Sequence, residues 1–127
     1  MIKEDYVGFE IAKLLKEKEF DIYVRSYYEK NKYKTKEEFS TNNALWNYNI
    51  SSFRYSAPTL QMAMKWLREV KHIPIEILWH YDVDSDVEEW YFIHHAELRI
   101  LPNDIEYYET YEKACEAGIK YCLENLI

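Results

Sequence analysis

The spacing of apolar residues switches between a helical and a strand period along this chain, and no other feature constrains its fold as tightly. The helical period is clearest in residues 56–73, SAPTLQMAMKWLREVKHI. Pro58 biases Ala57 toward an extended conformation, so the helix starts no earlier. Thr59 is the preferred N-cap; Ala57, with Pro58 at the first helical position, is the alternative. Beyond it, Leu60, Ala63, Met64, Trp66, Leu67 and Val70 share one side of the helix, and Gln61, Lys65, Arg68 and Glu69 take the other. Met62 falls at the border. Burial accounts for the two methionines and the tryptophan without a ligand.

Two further stretches carry this period. Asp5 can cap a helix running to about Lys18, with Val7, Ile11, Leu14 and Leu15 on its apolar stripe and Phe9 off it. Thr110 can cap a last helix from Tyr111 to about Leu126, with Tyr111, Ala114, Cys115, Gly118, Ile119, Cys122 and Leu126 facing inward. Gly118 in mid-stripe costs about 1 kcal/mol relative to alanine, and close approach to a sheet or helix is what would offset it. Between the helices, residues 20–29, 73–82, 88–98 and 104–109 are rich in aromatic and β-branched residues and predict strands. Residues 30–49 carry no decisive period. The expected fold is α+β: one domain over residues 1–127, a mainly antiparallel sheet of about four or five strands, and three helices.

Composition narrows the function. The net charge of −7 disfavours a general affinity for nucleic acid, whose phosphates need a basic face. No apolar run approaches the roughly 20 residues of a membrane span, and Met1–Asp5 lacks a leader's apolar region, so a cytoplasmic location is expected. Cys115 and Cys122 lie two helical turns apart, about 10.5 Å, beyond the reach of a disulfide. Two buried thiols on one helix face are expected. Only two glycines occur in 127 residues, which leaves no phosphate-cradling loop, dinucleotide fingerprint or nucleophile elbow.

Several constellations invite chemistry. Asp82, Asp84 and Asp86 alternate like the start of a calcium loop, but Val87 and Ile93 stand where that loop needs glycine and a bidentate glutamate. An exposed polar turn is expected, with no metal and no cofactor. If the flanking strands pair with Tyr81 opposite Glu88, then Trp79 meets Trp90 and Ile77 meets Phe92 on a buried face. In that register His80 lies opposite Glu89, His94 beside Ile75 and His95 near Pro74, and no two histidines converge. His72 falls near the end of the second helix, where a cation is favoured. A small enzyme using His80 or His95 with a carboxylate is therefore the least favoured reading, and no catalytic residue is assigned.

Lys30, Lys32, Lys34 and Lys36 form the one basic island. On an edge strand they would share a face and guard it against sheet-to-sheet pairing; a loop is equally simple. The sharper reading is a nucleic-acid contact, with Tyr33, Trp46 and Tyr48 stacking on bases. Thirteen tyrosines are many for this length, and they concentrate between residues 23 and 55. Tyrosine gives large contact area at low entropy cost, which suits a binding surface. The leading expectation is thus a non-enzymatic protein-interaction module, with Tyr27, Tyr28, Tyr33, Trp46 and Tyr48 as its contact residues and a protein as its partner. A half-buried tyrosine-rich sheet would explain the same residues.

Three segments also carry a resemblance. FEIAKLLKEKEFD, SAPTLQMAMKWLREVKHI and TYEKACEAGIKYCLENLI together resemble a family of small proteins encoded by gut Bacteroidales and their phages or prophages. The A-P-T and W-L-R-E combination is the most specific part, and the match covers somewhat under half of the chain. That family has no assigned activity or catalytic residues, so no site carries over. The resemblance implies a small intracellular accessory protein linked to phages or mobile elements.

Overall fold

The structure is a computed structural model, described over residues 4–95 and 105–127. The chain is α+β, with three helices and five strands, all paired antiparallel. In chain order these are α1 (Phe9–Glu17), β1 (Val24–Glu29), β2 (Glu38–Trp46), β3 (Arg54–Ser56), α2 (Leu60–Glu69), β4 (Ile75–Asp82), β5 (Val87–His94) and α3 (Tyr111–Asn125), with a short 3-10 turn at Tyr48–Ile50. The class, the antiparallel pairing and the helix count are those predicted from the spacing. The strands divide between a three-stranded sheet, ordered β2-β1-β3, and the β4–β5 hairpin. Two compact units result, Met1–Gln61 and Met62–Ile127.

In the first unit, α1 begins later than its sequence suggests. Asp5 does not cap it; Gly8 is the N-cap. The chain before it stays extended because Tyr6 bridges Thr59, Val7 N–H donates to the Pro58 carbonyl at 3.0 Å and Leu60 N–H donates to the Asp5 carbonyl at 2.9 Å. The last bond satisfies an amide that α2 leaves free at its N-terminus. Ile11, Ala12 and Leu15 are the buried side of α1. Phe9, off the expected stripe, turns onto the sheet instead, with ring centroids 5.1 Å from Tyr55 and 5.6 Å from Tyr28. At the other end of α1, Phe20 N–H donates to Leu15 and Glu19 N–H to Lys16, with Glu19 at φ 67°. That is a Schellman ending with glutamate where glycine is usual.

The sheet of this unit is tied to α1 by polar contacts. Lys16 Nζ donates to the carbonyls of Ser51 and Arg54 and lies 4.5 Å from the Tyr55 ring centre. Burial lowers its pKa from the ordinary lysine value. Asn49 donates to the Phe20 carbonyl at 2.8 Å and accepts from Ser56 N–H at 2.8 Å, so one amide clasps the end of α1 to β3. β1 and β2 pair regularly from Ser26↔Thr41 to Glu29↔Glu38 and again at Val24↔Trp46. Between these stretches Asn42, Asn43, Ala44 and Leu45 stand against Arg25 alone, which makes a wide bulge in β2.

In α2, Leu60, Ala63, Met64, Trp66 and Leu67 are buried, while Gln61, Lys65, Arg68 and Glu69 are exposed, as the spacing predicts. Val70 departs from its expected place and is half exposed, because the helix has ended at Glu69. His72 follows at φ 59°, and Ile73 N–H reaches back to the Leu67 carbonyl at 2.9 Å.

In the second unit, β4 and β5 pair in the expected register, from Ile75↔His94 through Trp79↔Trp90 and Tyr81↔Glu88 to Asp82↔Val87. The expected strand over residues 104–109 is reduced to one antiparallel bridge, Trp90↔Tyr108, with N–H···O distances of 2.8 and 2.7 Å. Asp104 and the end of the expected strand at residues 96–98 lie outside the described residues. α3 crosses the hairpin face that carries Ile75 and Phe92. Its N-cap Thr110 accepts from Lys113 N–H at 3.1 Å, and Ala114, Cys115, Gly118, Ile119, Cys122 and Leu123 are buried. A Cβ on Gly118 would lie 3.1 Å from Phe92 Cγ and 3.2 Å from Ile75 Cγ2. The glycine thus allows the close approach that offsets its helical cost.

Candidate protein-interaction surface

The five aromatic residues proposed as a binding surface do not form one patch. β1 places Tyr27 and Tyr28 on opposite faces, as consecutive strand residues must be. Tyr28 faces α1: its hydroxyl donates to the Val7 carbonyl at 2.8 Å, and its ring lies near Phe9 and Phe39. Tyr27 faces the other way and stacks on Tyr48 at 4.3 Å. Tyr48 itself is 2% exposed, so it belongs to the core and offers nothing to a partner. Its amide donates to Ser56 Oγ, which pins the 3-10 turn over the sheet. Tyr33 is exposed in the β1–β2 loop, beneath the Lys32 ammonium.

The lysine island is that loop, and not a guarded edge strand. Lys34 bonds Glu29 at 3.0 Å and Glu38 at 3.1 Å, and Arg54 adds a contact to Glu29 at 3.4 Å. The Lys34 hydrogen bond, with Arg54 behind it, lowers the Glu29 pKa, and the Glu29 and Glu38 carboxylates raise that of Lys34. Lys30 lies 6.0 Å from the Phe9 ring centre. Of the four lysines, Lys34 is thus held by carboxylates of its own unit.

Trp46 is open to solvent at the end of β2, together with Tyr23 of the tyrosine-rich region and with Leu45, which sequence reasoning did not single out. Trp46 is 51% exposed and lies 6.1 Å from Tyr23, itself 57% exposed; Leu45 beside it is 53% exposed. Leu45 and Trp46 sit where β2 bulges, on a strand that pairs only with β1 among the described residues, and Tyr23 immediately precedes β1. The signal of Leu45 is faint in sequence, because an edge strand exposed almost throughout has no apolar alternation to betray it.

The histidines of the second unit stay apart, as the register implies. His80 lies 4.9 Å from the Tyr107 ring, His94 stacks on Tyr121 at 5.3 Å, and His95 Nε2 is 3.3 Å from Glu76 Oε2. Within the aspartate turn, Asp82 accepts from Asp84 N–H at 3.0 Å and Asp86 takes the Tyr81 hydroxyl. Hydrogen bonds from Ser85 and from the Asp84 amide lower the Asp82 pKa. Among the described residues, no three histidine, cysteine or carboxylate side chains are grouped to hold a metal ion. Trp79, expected on a buried face, is 54% exposed and stacks on Tyr81 at 6.1 Å.

Compared with known proteins, the chain matches no family model, no curated protein and no solved structure. Among the described residues, no helix is long and apolar enough to cross a membrane.

Proposed function

We propose that this chain is a non-enzymatic protein-interaction module that binds its partner along the bulged edge of β2, through Tyr23, Leu45 and Trp46. The observation that carries the reading is the exposure of these three large side chains beside an edge strand that pairs with β1 alone among the described residues. Such an edge accepts an extended segment by strand addition, with the flanking side chains giving selectivity. An accessory protein of phage or mobile-element origin, acting on a host or phage protein in the cytoplasm, is the setting that the family resemblance suggests.

Affinity capture of the tagged protein from lysate, with and without nuclease, tests this when it is run beside a Tyr23→Ala/Trp46→Ala variant. A dominant protein that survives nuclease and is lost from the variant supports the reading. Equal capture by the variant would remove the β2 edge as the site. Loss of every partner on nuclease treatment would move the function to Lys32 and Tyr33 in the β1–β2 loop.

A further inference from the structure

We propose that the tip of the β4–β5 hairpin is a second docking surface, on which the Trp79–Tyr81 pair receives a lysine- or arginine-bearing segment of a partner protein. This surface belongs to the other unit and does not depend on the β2 edge. Trp79 and Tyr81 are two apart on one strand, so they share a face, and they are 54% and 40% exposed. Their rings are nearly parallel, at 21°, and the Tyr81 hydroxyl is held by Asp86. Beside them on the same face Trp90, opposite Trp79, packs edge-on against Tyr111 at 5.5 Å. The pair is therefore preformed, and binding would cost little ordering of it.

Charge selects the occupant. From His72 through His95 the chain carries Glu76, Asp82, Asp84, Asp86, Glu88 and Glu89, with no lysine or arginine. Glu88 stands directly opposite Tyr81 and so on the same face. An acidic or phosphate-bearing partner would be repelled there, and a purely apolar one would strip water from carboxylates without replacing it. A guanidinium or ammonium satisfies both features, since it is attracted to the ring faces and to the adjacent carboxylates.

The rest of the chain shows the same preference internally. Lys16 lies over Tyr55, Arg54 over Tyr27, Lys13 over Phe9 and Lys71 over Trp66. The hairpin tip, in a stretch with no lysine or arginine from His72 through His95, presents rings and carboxylates together.

The test is a fluorescence-anisotropy titration of the full chain with a labelled peptide of alternating arginine and serine. A Trp79→Ala/Tyr81→Ala variant, with every carboxylate in place, is expected to bind at least about tenfold more weakly. The Tyr23→Ala/Trp46→Ala variant should bind as the parent does. Amide resonances of the unmodified protein provide a readout that needs no variant: peptide-induced shifts are expected to concentrate at residues 79–90. Unchanged binding by the Trp79→Ala/Tyr81→Ala variant would reduce the contact to bulk charge attraction and overturn the proposal. Absence of binding by the parent, or shifts centred elsewhere, would do the same.

Discussion

Glu19 is a residue whose backbone outranks its side chain. At φ 67° it occupies the left-handed region, which costs a residue with a Cβ roughly 1–2 kcal/mol. The Schellman bonds that end α1 fix it there. Glu19→Gly is expected to raise unfolding free energy by about 1 kcal/mol, read as a higher melting temperature. A lower one would mean that the glutamate side chain stabilises the ending. Cys122 behaves differently, because burial pushes its thiol up from 9.0 to about 12. Both cysteines are buried, so a thiolate-directed reagent should leave the native protein unmodified near neutral pH and label two thiols in denaturant. Because the folded pKa lies above the unfolded one, the thiol's contribution to stability is complete below about pH 9. It is lost progressively as the pH rises toward about 12. Native labelling as fast as in denaturant would show that α3 opens readily.

At the scale of elements, the seat of α3 on the hairpin depends on Gly118. Alanine there gains about 1 kcal/mol of helix propensity and spends much of it moving Phe92, so Gly118→Ala should alter stability by under about 1 kcal/mol. Gly118→Leu has no room beside Phe92 and Ile75 and should cost roughly 1–3 kcal/mol in denaturant unfolding, even though leucine adds helix propensity that works against that loss. A leucine variant as stable as the parent would show that the two elements separate without penalty. This glycine was legible in sequence because it interrupts a regular stripe. The hairpin register supposed from aligning Trp79 with Trp90 and Ile77 with Phe92 is the one observed, although the buried face that suggested it leaves Trp79 exposed. β2 and β3 were not legible: Glu38–Trp46 is exposed almost throughout, and Arg54–Ser56 is too short to show a period. Tyr48 misled for a related reason. Its burial comes from a 3-10 turn built on Asn47 and Asn49, whose side-chain bonds leave no mark in hydrophobic spacing. Asp5 looked like a cap because local sequence cannot report a bridge to Thr59, more than fifty positions away.

For the molecule as a whole, charge is the dominant property. A net charge of −7 keeps copies apart near neutral pH, and the sequence pI of about 5.1 places the loss of that repulsion in mildly acidic solution. Solubility should therefore reach its minimum near pH 5 and recover on either side, as turbidity against pH would show. A minimum elsewhere would mean that exposed aromatic surfaces, rather than net charge, govern association. The exposed edge of β2 would be among those surfaces, and its bulge bears on how the chain can vary in length. The pairs on either side, Ser26 with Thr41 and Val24 with Trp46, involve none of the four residues between. A residue inserted or deleted at Asn42–Asn43 would be absorbed locally, without shifting any strand. The bulge thus acts as a length buffer: descendants of this sequence could remodel the edge by insertion while inheriting the sheet beneath it unchanged.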